Sequence, residues 1–199
     1  MSKKCTASGV YASLEWCPGQ TVLPGIRPAV YVAPKSWITT WPTLPITAEG
    51  ANMGDLVKYK GNFTMALDKK WVKIDAFTKK SSFSCESQGE DPSKTFLNKV
   101  SLFYPGTDED ASGFCRQANV DQLVFLVFQR DGKCRVFGSE FFDSAIKPSL
   151  SSGEGDTGTG GTTIEIECTD LGPAPFYPGE IVVDGGKISG ADGTVLGDS

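Results

Sequence analysis

Two glutamates in the C-terminal part of the chain have the spacing of a carboxylate pair. Glu165 and Glu167 lie in the alternating sequence T-T-I-E-I-E-C-T. On a β-strand this spacing puts both side chains on one face, about 7 Å apart. Glycosidases use carboxylate pairs at similar separations. Nothing else in the sequence supports a sugar-cleaving site, so we interpret the two residues as part of a polar strand face.

A glycine-rich segment precedes this strand, and such segments can cradle phosphate groups. This one lacks the G-K-[ST] ending of a phosphate loop. It also leads into a strand, so no helix N-terminus follows that could bind an anion. We expect a flexible connection, or an assembly loop that a neighbouring subunit orders. Its glycines are Gly153, Gly155, Gly158, Gly160 and Gly161.

The residues that most often carry catalysis or bind metals are scarce. The chain has no histidine, which removes the usual general base and the commonest transition-metal ligand. Its six cysteines include no C-x-x-C pair, so no zinc or redox motif is indicated. Helix capping explains the acidic run 108–110 without a bound cation. We therefore expect no catalytic residue, no metal and no cofactor.

The N-terminus bears on where the protein is found. Met1 is followed by Ser2, Lys3 and Lys4 without an apolar stretch, which predicts that there is no signal peptide. We therefore expect reduced cysteines in a cell interior, with some pairing after release as the alternative. The longest apolar run, 123–128, is too short to span a bilayer, so we expect no membrane partner.

Composition favours one β-rich domain with many turns. The chain has 199 residues, of which 23 are Gly and 12 are Pro. Such a length buries a core without disulfides or metals, and the Gly and Pro content disfavours long helices. The net charge of −5 argues against tight non-specific binding to nucleic acid.

The coarse pattern predicts an all-β fold with one short α-helix. An apolar stripe at helical spacing predicts that helix within 108–119. The run that follows it, 123–128, is apolar on both faces and should be buried on both. One face can pack on the core of the domain, and the other needs a cover. Either the helix or a neighbouring subunit supplies it, which makes Leu123, Phe125 and Val127 candidates for an inter-subunit strand.

Three regions differ in composition. Residues 1–50 are rich in Pro and Trp, and we expect an N-terminal arm there, or alternatively a segment that wraps its own domain. Residues 51–178 hold the alternating strand patterns and form the β-rich domain. Residues 179–199 are a C-terminal hairpin or extension.

The order of several segments resembles the major tail tube proteins of long-tailed bacteriophages, both siphophages and myophages, in a version similar to that of Bacteroidetes phages and prophages. The matching pieces cover most of the chain. They are F-L-N-K-V-S-L-F-Y-P-G-T-D, then Q-L-V-F-L-V-F-Q-R-D-G-K-C-R-V-F-G-S-E, G-G-T-T-I-E-I-E-C-T-D and P-A-P-F-Y. Each motif is weak alone, and their joint order carries the resemblance.

The resemblance implies a β-sandwich or half-open barrel flanked by one short helix. It implies a homo-oligomeric ring of six copies, stacked into a tube that other tail proteins join and through which DNA passes without specific binding. The location implied is the virion tail, after assembly in the host cytoplasm. Glu165 and Glu167 then become candidates for the lumen face, and the glycine-rich loop and the arm become candidates for contacts between rings. The long N-terminus and the 179–199 extension depart from the family pattern.

Two other functions compete with this interpretation. A capsid decoration or head-fibre protein shares the β-rich, histidine-poor character but forms trimers or stays monomeric. A carbohydrate-binding module of the β-sandwich type has exposed tryptophans, and Trp37 and Trp41 would then be its platforms. An enzyme ranks last, because no catalytic motif is present.

Overall fold

The computed structural model describes residues 11–45 and 52–197. In these ranges the chain forms thirteen β-strands, one α-helix and three short 3-10 helices. The strands are β1 (Ile26–Pro34), β2 (Ile38–Thr40), β3 (Thr64–Met65), β4 (Val72–Asp75), β5 (Ser82–Gln88), β6 (Thr95–Tyr104), β7 (Leu123–Gln129), β8 (Cys134–Phe137), β9 (Ser144–Ser151), β10 (Gly161–Asp170), β11 (Glu180–Val183), β12 (Gly186–Ser189) and β13 (Val195–Leu196). The helix α1 is Glu109–Ala118, and the 3-10 helices are Lys35–Trp37, Met53–Val57 and Thr78–Lys80.

Two antiparallel four-stranded sheets form the body of the molecule. The first has the strand order β4-β1-β7-β8, and the second has the order β5-β6-β10-β9. Two smaller sheets are added, β11-β12-β13 and the pair β2-β3. No sheet closes into a barrel within the described residues. The predicted all-β class with one short helix is confirmed.

The two large sheets face each other across one apolar cluster, as in a β-sandwich. Strand alternation sends every second side chain of each sheet into it. From the first sheet come Val30, Val32, Phe125, Val127 and Phe137, and from the second come Val100, Leu102, Ile164, Ile166 and Cys168.

A second apolar cluster covers the opposite face of the first sheet. It contains Leu126 of β7, and against it pack Phe63, Trp71, Tyr177 and Ile181 from the connections and from β11. The first sheet is therefore buried on both faces, which explains why β7 is apolar at every position from 123 to 128.

This arrangement corrects the expectation for β7. The strand lies between β1 and β8 and pairs with both, so it has no free edge to offer a second subunit. Leu123, Phe125 and Val127 are buried in the cluster between the two large sheets. The second apolar cluster covers the other face of β7, and α1 instead contributes Ala118 to the cluster between the two large sheets. The sequence could not show this, because the covering residues lie far from β7 in the chain.

Residues 26–34 follow the alternative to an arm, because they form a strand within the body of the protein. β1 pairs with β4 on one side and β7 on the other, although it contains two prolines. Pro28 lies where the register with β7 shifts, between Ile26 and Val30, and Pro34 is the last residue of the strand. At both places a missing N–H is tolerated, so the apolar residues between them remain free to pair.

The helix begins as the acidic run predicts. The Asp108 carboxylate accepts a hydrogen bond from the Ala111 backbone N–H at 2.8 Å, and Glu109 and Asp110 occupy the first turn. Capping therefore accounts for the acidic run. Ala111, Cys115 and Ala118 form the buried face.

The C-terminal region forms a small antiparallel sheet that packs on the body of the protein. β11 and β12 form a hairpin around Asp184 and Gly185, and β13 pairs with β12. Ile181 is buried in the second apolar cluster, and Val183 bridges to Trp71. Across the described ranges, the chain has no helix with the length and apolar character to cross a membrane.

Candidate functional site

The outer face of the second sheet carries the two glutamates singled out in the sequence. Glu165 lies between Ser101 of β6 and Lys147 of β9, and Glu167 lies beside Lys99 of β6. Glu165 is exposed and Glu167 is half-buried. The sheet thus brings both carboxylates to one solvent-facing surface, as the alternation predicted.

Lysines make this face mixed in charge rather than purely acidic. The Lys147 ammonium lies 3.7 Å from a Glu167 carboxylate oxygen, and Lys99 lies 3.7 Å from Glu86. Exposed ion pairs of this kind contribute little to stability. They do lower the net negative charge of this surface.

The second sheet ends in two strands that each have one partner. β5 pairs only with β6 and β9 only with β10 among the described strands, so each has one row of backbone groups open for pairing. β9 carries Lys147 and Pro148, both of which discourage strand addition. β5 contains neither, and it is the more receptive edge.

The glycine-rich segment is a compact hairpin loop between β9 and β10. Ser151 pairs with Gly161 at its base. A Cβ at Gly158 would overlap the backbone of Glu154, and Gly153 has a positive φ of 84°. Glycine at these two positions therefore allows the backbone to fold back on itself. The loop leads into β10 and not into a helix.

The segment from residue 11 to residue 25 has a different character. All its residues are exposed, and it forms no helix or strand. Tyr11 is 93% exposed and Leu14 is 88% exposed. Three further apolar side chains are more than half exposed: Trp16, Val22 and Leu23. So many unpacked apolar side chains in one stretch are typical of an interaction surface. Residues 1–10 and 46–50 of the expected arm lie outside the described ranges.

The two tryptophans proposed as glycan platforms are engaged within the chain. Trp41 packs edge-on against Phe63 with ring centroids 5.3 Å apart. The Lys69 ammonium lies over the Trp37 ring, 4.8 Å from its centroid. Both rings pack against the second apolar cluster, which weighs against a carbohydrate platform at these positions.

Five of the six cysteines lie in described ranges, and all five are free thiols. Cys115, Cys134 and Cys168 are buried. Burial raises the pKa of Cys168 to about 12 and also raises the pKa of Cys134, so these thiols stay protonated at neutral pH and are poor nucleophiles. Cys5 lies outside the described ranges.

A buried carboxylate lies at the end of β10, where no site was expected from the sequence. Asp170 is 3% exposed. Its Oδ1 accepts a hydrogen bond of 2.7 Å from the Leu171 N–H, and Oδ2 has no partner among the described residues. The signal was present in the alternation, because Ile164, Ile166 and Cys168 face inward and the next residue on that face is Asp170.

Asp170 lines a cavity of about 150 Å³. Burial raises the pKa of its carboxyl to about 6. The other walls are mostly aromatic or apolar, with one further carboxylate at Glu140; the main side chains are Trp41, Tyr59, Phe141 and Leu171.

Within 11–45 and 52–197, no three His, Cys, Asp or Glu side chains lie close enough together to hold a metal ion. Comparison of the chain with protein-family models, curated proteins and solved structures gave no match.

Proposed function

We propose that the protein is a structural, self-assembling subunit of a bacteriophage tail tube and not an enzyme. The proposal rests on the resemblance of segment order to tail tube proteins. The single observation that carries it furthest is the exposed apolar segment 11–25, which a monomer leaves without packing. The open edge of β5 supports it as a second surface for self-association.

The two surfaces supply different parts of the driving force. Pairing of β5 with a neighbour satisfies a row of backbone groups, and closure into a ring leaves no edge free. Burial of a large apolar side chain contributes about 1.5–3 kcal/mol. Several such side chains from 11–25 would offset much of the entropy lost on association.

In this proposal the outer face of the second sheet lines the lumen. Glu165 and Glu167 keep the surface unfavourable for DNA phosphates, and Lys99 and Lys147 moderate the repulsion. The partners are further copies of the chain, in a ring of six that stacks into a tube, and other tail proteins. The location is the virion tail, and no cofactor is involved.

Negative-stain electron microscopy of the purified protein over a concentration series tests the proposal. We expect rings about one subunit thick, or hollow tubes, to increase with concentration. A uniformly small monomeric or trimeric particle at the highest concentration would contradict the tube and favour a capsid decoration protein.

A variant of the exposed segment identifies the surface responsible. We expect the triple change Leu14→Ser, Trp16→Ser and Val22→Ser to abolish rings while the circular dichroism spectrum stays unchanged, since these side chains are largely exposed in the monomer. The matched control is Leu67→Ser, which removes an equally exposed leucine outside the segment. Loss of rings in the control as well would assign assembly to general surface hydrophobicity.

A further inference from the structure

We propose that the cavity beside Asp170 is a binding site for a primary alkylammonium group, such as a free alkylamine or the side chain of a lysine from a second copy of this chain. No residue of β5 or of the segment 11–25 lines this cavity, and the proposal does not depend on tube formation.

The lining of the cavity carries negative charge and therefore favours a bound cation. Asp170 Oδ2 is buried and has no hydrogen-bond donor among the described residues. No Lys or Arg of the described ranges forms an ion pair with this carboxylate, while Glu140 adds a second negative charge to the wall. An unpaired buried carboxylate oxygen costs free energy, and a bound ammonium recovers it through a charge-assisted hydrogen bond.

The walls suit an alkyl chain that ends in a positive charge. Trp41, Tyr59 and Phe141 present aromatic rings, which attract ammonium groups through their negative faces and cover methylene groups well. A cavity of about 150 Å³ holds a molecule the size of benzene. The butylammonium end of a lysine is of similar size, so it fits the volume observed here.

Other cations match the cavity less well. A guanidinium binds best to both oxygens of a carboxylate, and Oδ1 of Asp170 is already occupied by the Leu171 N–H. Calcium requires six to eight oxygen ligands, and magnesium requires an octahedral set. The aromatic walls do not supply such oxygens. The geometry therefore favours a single ammonium donor.

Titration of the full chain with n-butylammonium at neutral pH, followed by calorimetry and by the thermal unfolding temperature, tests the site. We expect saturable binding to the wild type and a rise in the unfolding temperature with ligand concentration. n-Butanol, which has a similar shape and no charge, should give neither effect. Absence of saturable butylammonium binding, or equal stabilisation by n-butanol, would overturn the proposal.

Variants locate the binding to this cavity. We expect Asp170→Asn to weaken butylammonium binding by at least about tenfold, because a charge-assisted hydrogen bond is lost. Phe141→Ala removes a wall that is 70% exposed and so carries little risk to folding, and it should weaken binding several-fold. Glu165→Gln, which removes a carboxylate from the exposed face of β10, is the control and should bind as the wild type does. Unchanged affinity in Asp170→Asn would place the ligand elsewhere and exclude the site.

Sedimentation velocity separates the two sources of the ammonium group. If a lysine of a second copy occupies the cavity, saturating butylammonium should compete with it and release smaller species. If the ligand is a free amine, butylammonium should bind without changing the sedimentation profile. Both results support the ammonium site, and each identifies which molecule supplies the ammonium group.

Discussion

The buried carboxylate of Asp170 makes the stability of the protein depend on pH. Its pKa rises from an ordinary 3.8 to about 6 in the folded protein because of burial. Between these two values the folded state binds more protons than the unfolded state. The contribution of this group to the free energy of unfolding therefore falls as pH rises from about 4 to 6 and stays low above that.

We expect this loss to be about 3 kcal/mol at most, from the two-unit shift. Asp170→Asn should remove it, so the stability difference between variant and wild type should grow in favour of the variant from pH 4 to pH 7. Urea unfolding at both pH values measures the difference, with the exposed Glu165→Gln as control. A difference that is independent of pH would mean that Asp170 is not buried as a charged group.

Polar residues of the interior were the hardest to predict individually. Asn98 is fully buried, where its side chain donates to the Gly172 carbonyl at 3.2 Å and accepts from the Ala174 N–H at 3.0 Å. Nothing in its local sequence separates it from an exposed asparagine, because its partners lie on a segment distant in the chain. By contrast, Glu165 and Glu167 followed directly from strand alternation.

Two glycines in different elements should respond to alanine in opposite directions. Gly113 is exposed on α1, and a Cβ there meets no atom within 4 Å. Gly113→Ala should stabilise the protein by about 0.5–1 kcal/mol, because alanine restricts the unfolded chain and favours helix. Gly158→Ala should destabilise it, since the new Cβ overlaps the Glu154 backbone.

Chemical denaturation measures both effects, and hydrogen exchange shows where the second one acts. We expect faster exchange in Gly158→Ala to be confined to the β9–β10 hairpin. An equal gain in stability from both substitutions would show that the glycine-rich loop is open enough to accept a side chain.

Helices and strands whose signals lie within their own residues could be predicted from the sequence. Those that depend on partners far away in the chain could not. The helix followed from its cap and its apolar stripe, both contained within 108–118. The prolines of β1 left open whether it belongs to an arm or wraps its own domain, and only the partners β4 and β7 show that those prolines fall at positions that need no N–H. The candidate site was likewise predictable only in part. The polar face followed from sequence, whereas the cavity beside Asp170 depends on residues from four separate segments.

The assembled particle should show the effect of the outer face of the second sheet on DNA. If Glu165 and Glu167 line a lumen, tubes of the double variant Glu165→Lys and Glu167→Lys should retain DNA, and the retention should fall steeply with salt. Wild-type tubes should not retain it. Co-sedimentation of tubes with short duplex DNA gives the measurement.

The control for this experiment is Glu154→Lys with Asp156→Lys, which changes the net charge equally on the exposed glycine-rich loop. Retention of DNA by both double variants alike would indicate a general charge effect and would remove the lumen assignment. If genome passage and tube assembly were unchanged in the variant with both glutamates replaced, the lumen assignment would also be removed.

The pairing of β1 with β7 has a consequence for synthesis of the chain. Val30 and Val127 are partners, roughly a hundred residues apart. A ribosome therefore exposes β1 long before β7 exists, and the apolar stretch Val30–Ala33 lacks this second partner until then, even if β4 has already been made. Such non-local pairing slows folding and prolongs the exposure of aggregation-prone apolar segments. Nascent chains halted before β7 should bind a chaperone, and chains extended beyond β10 should be released from it.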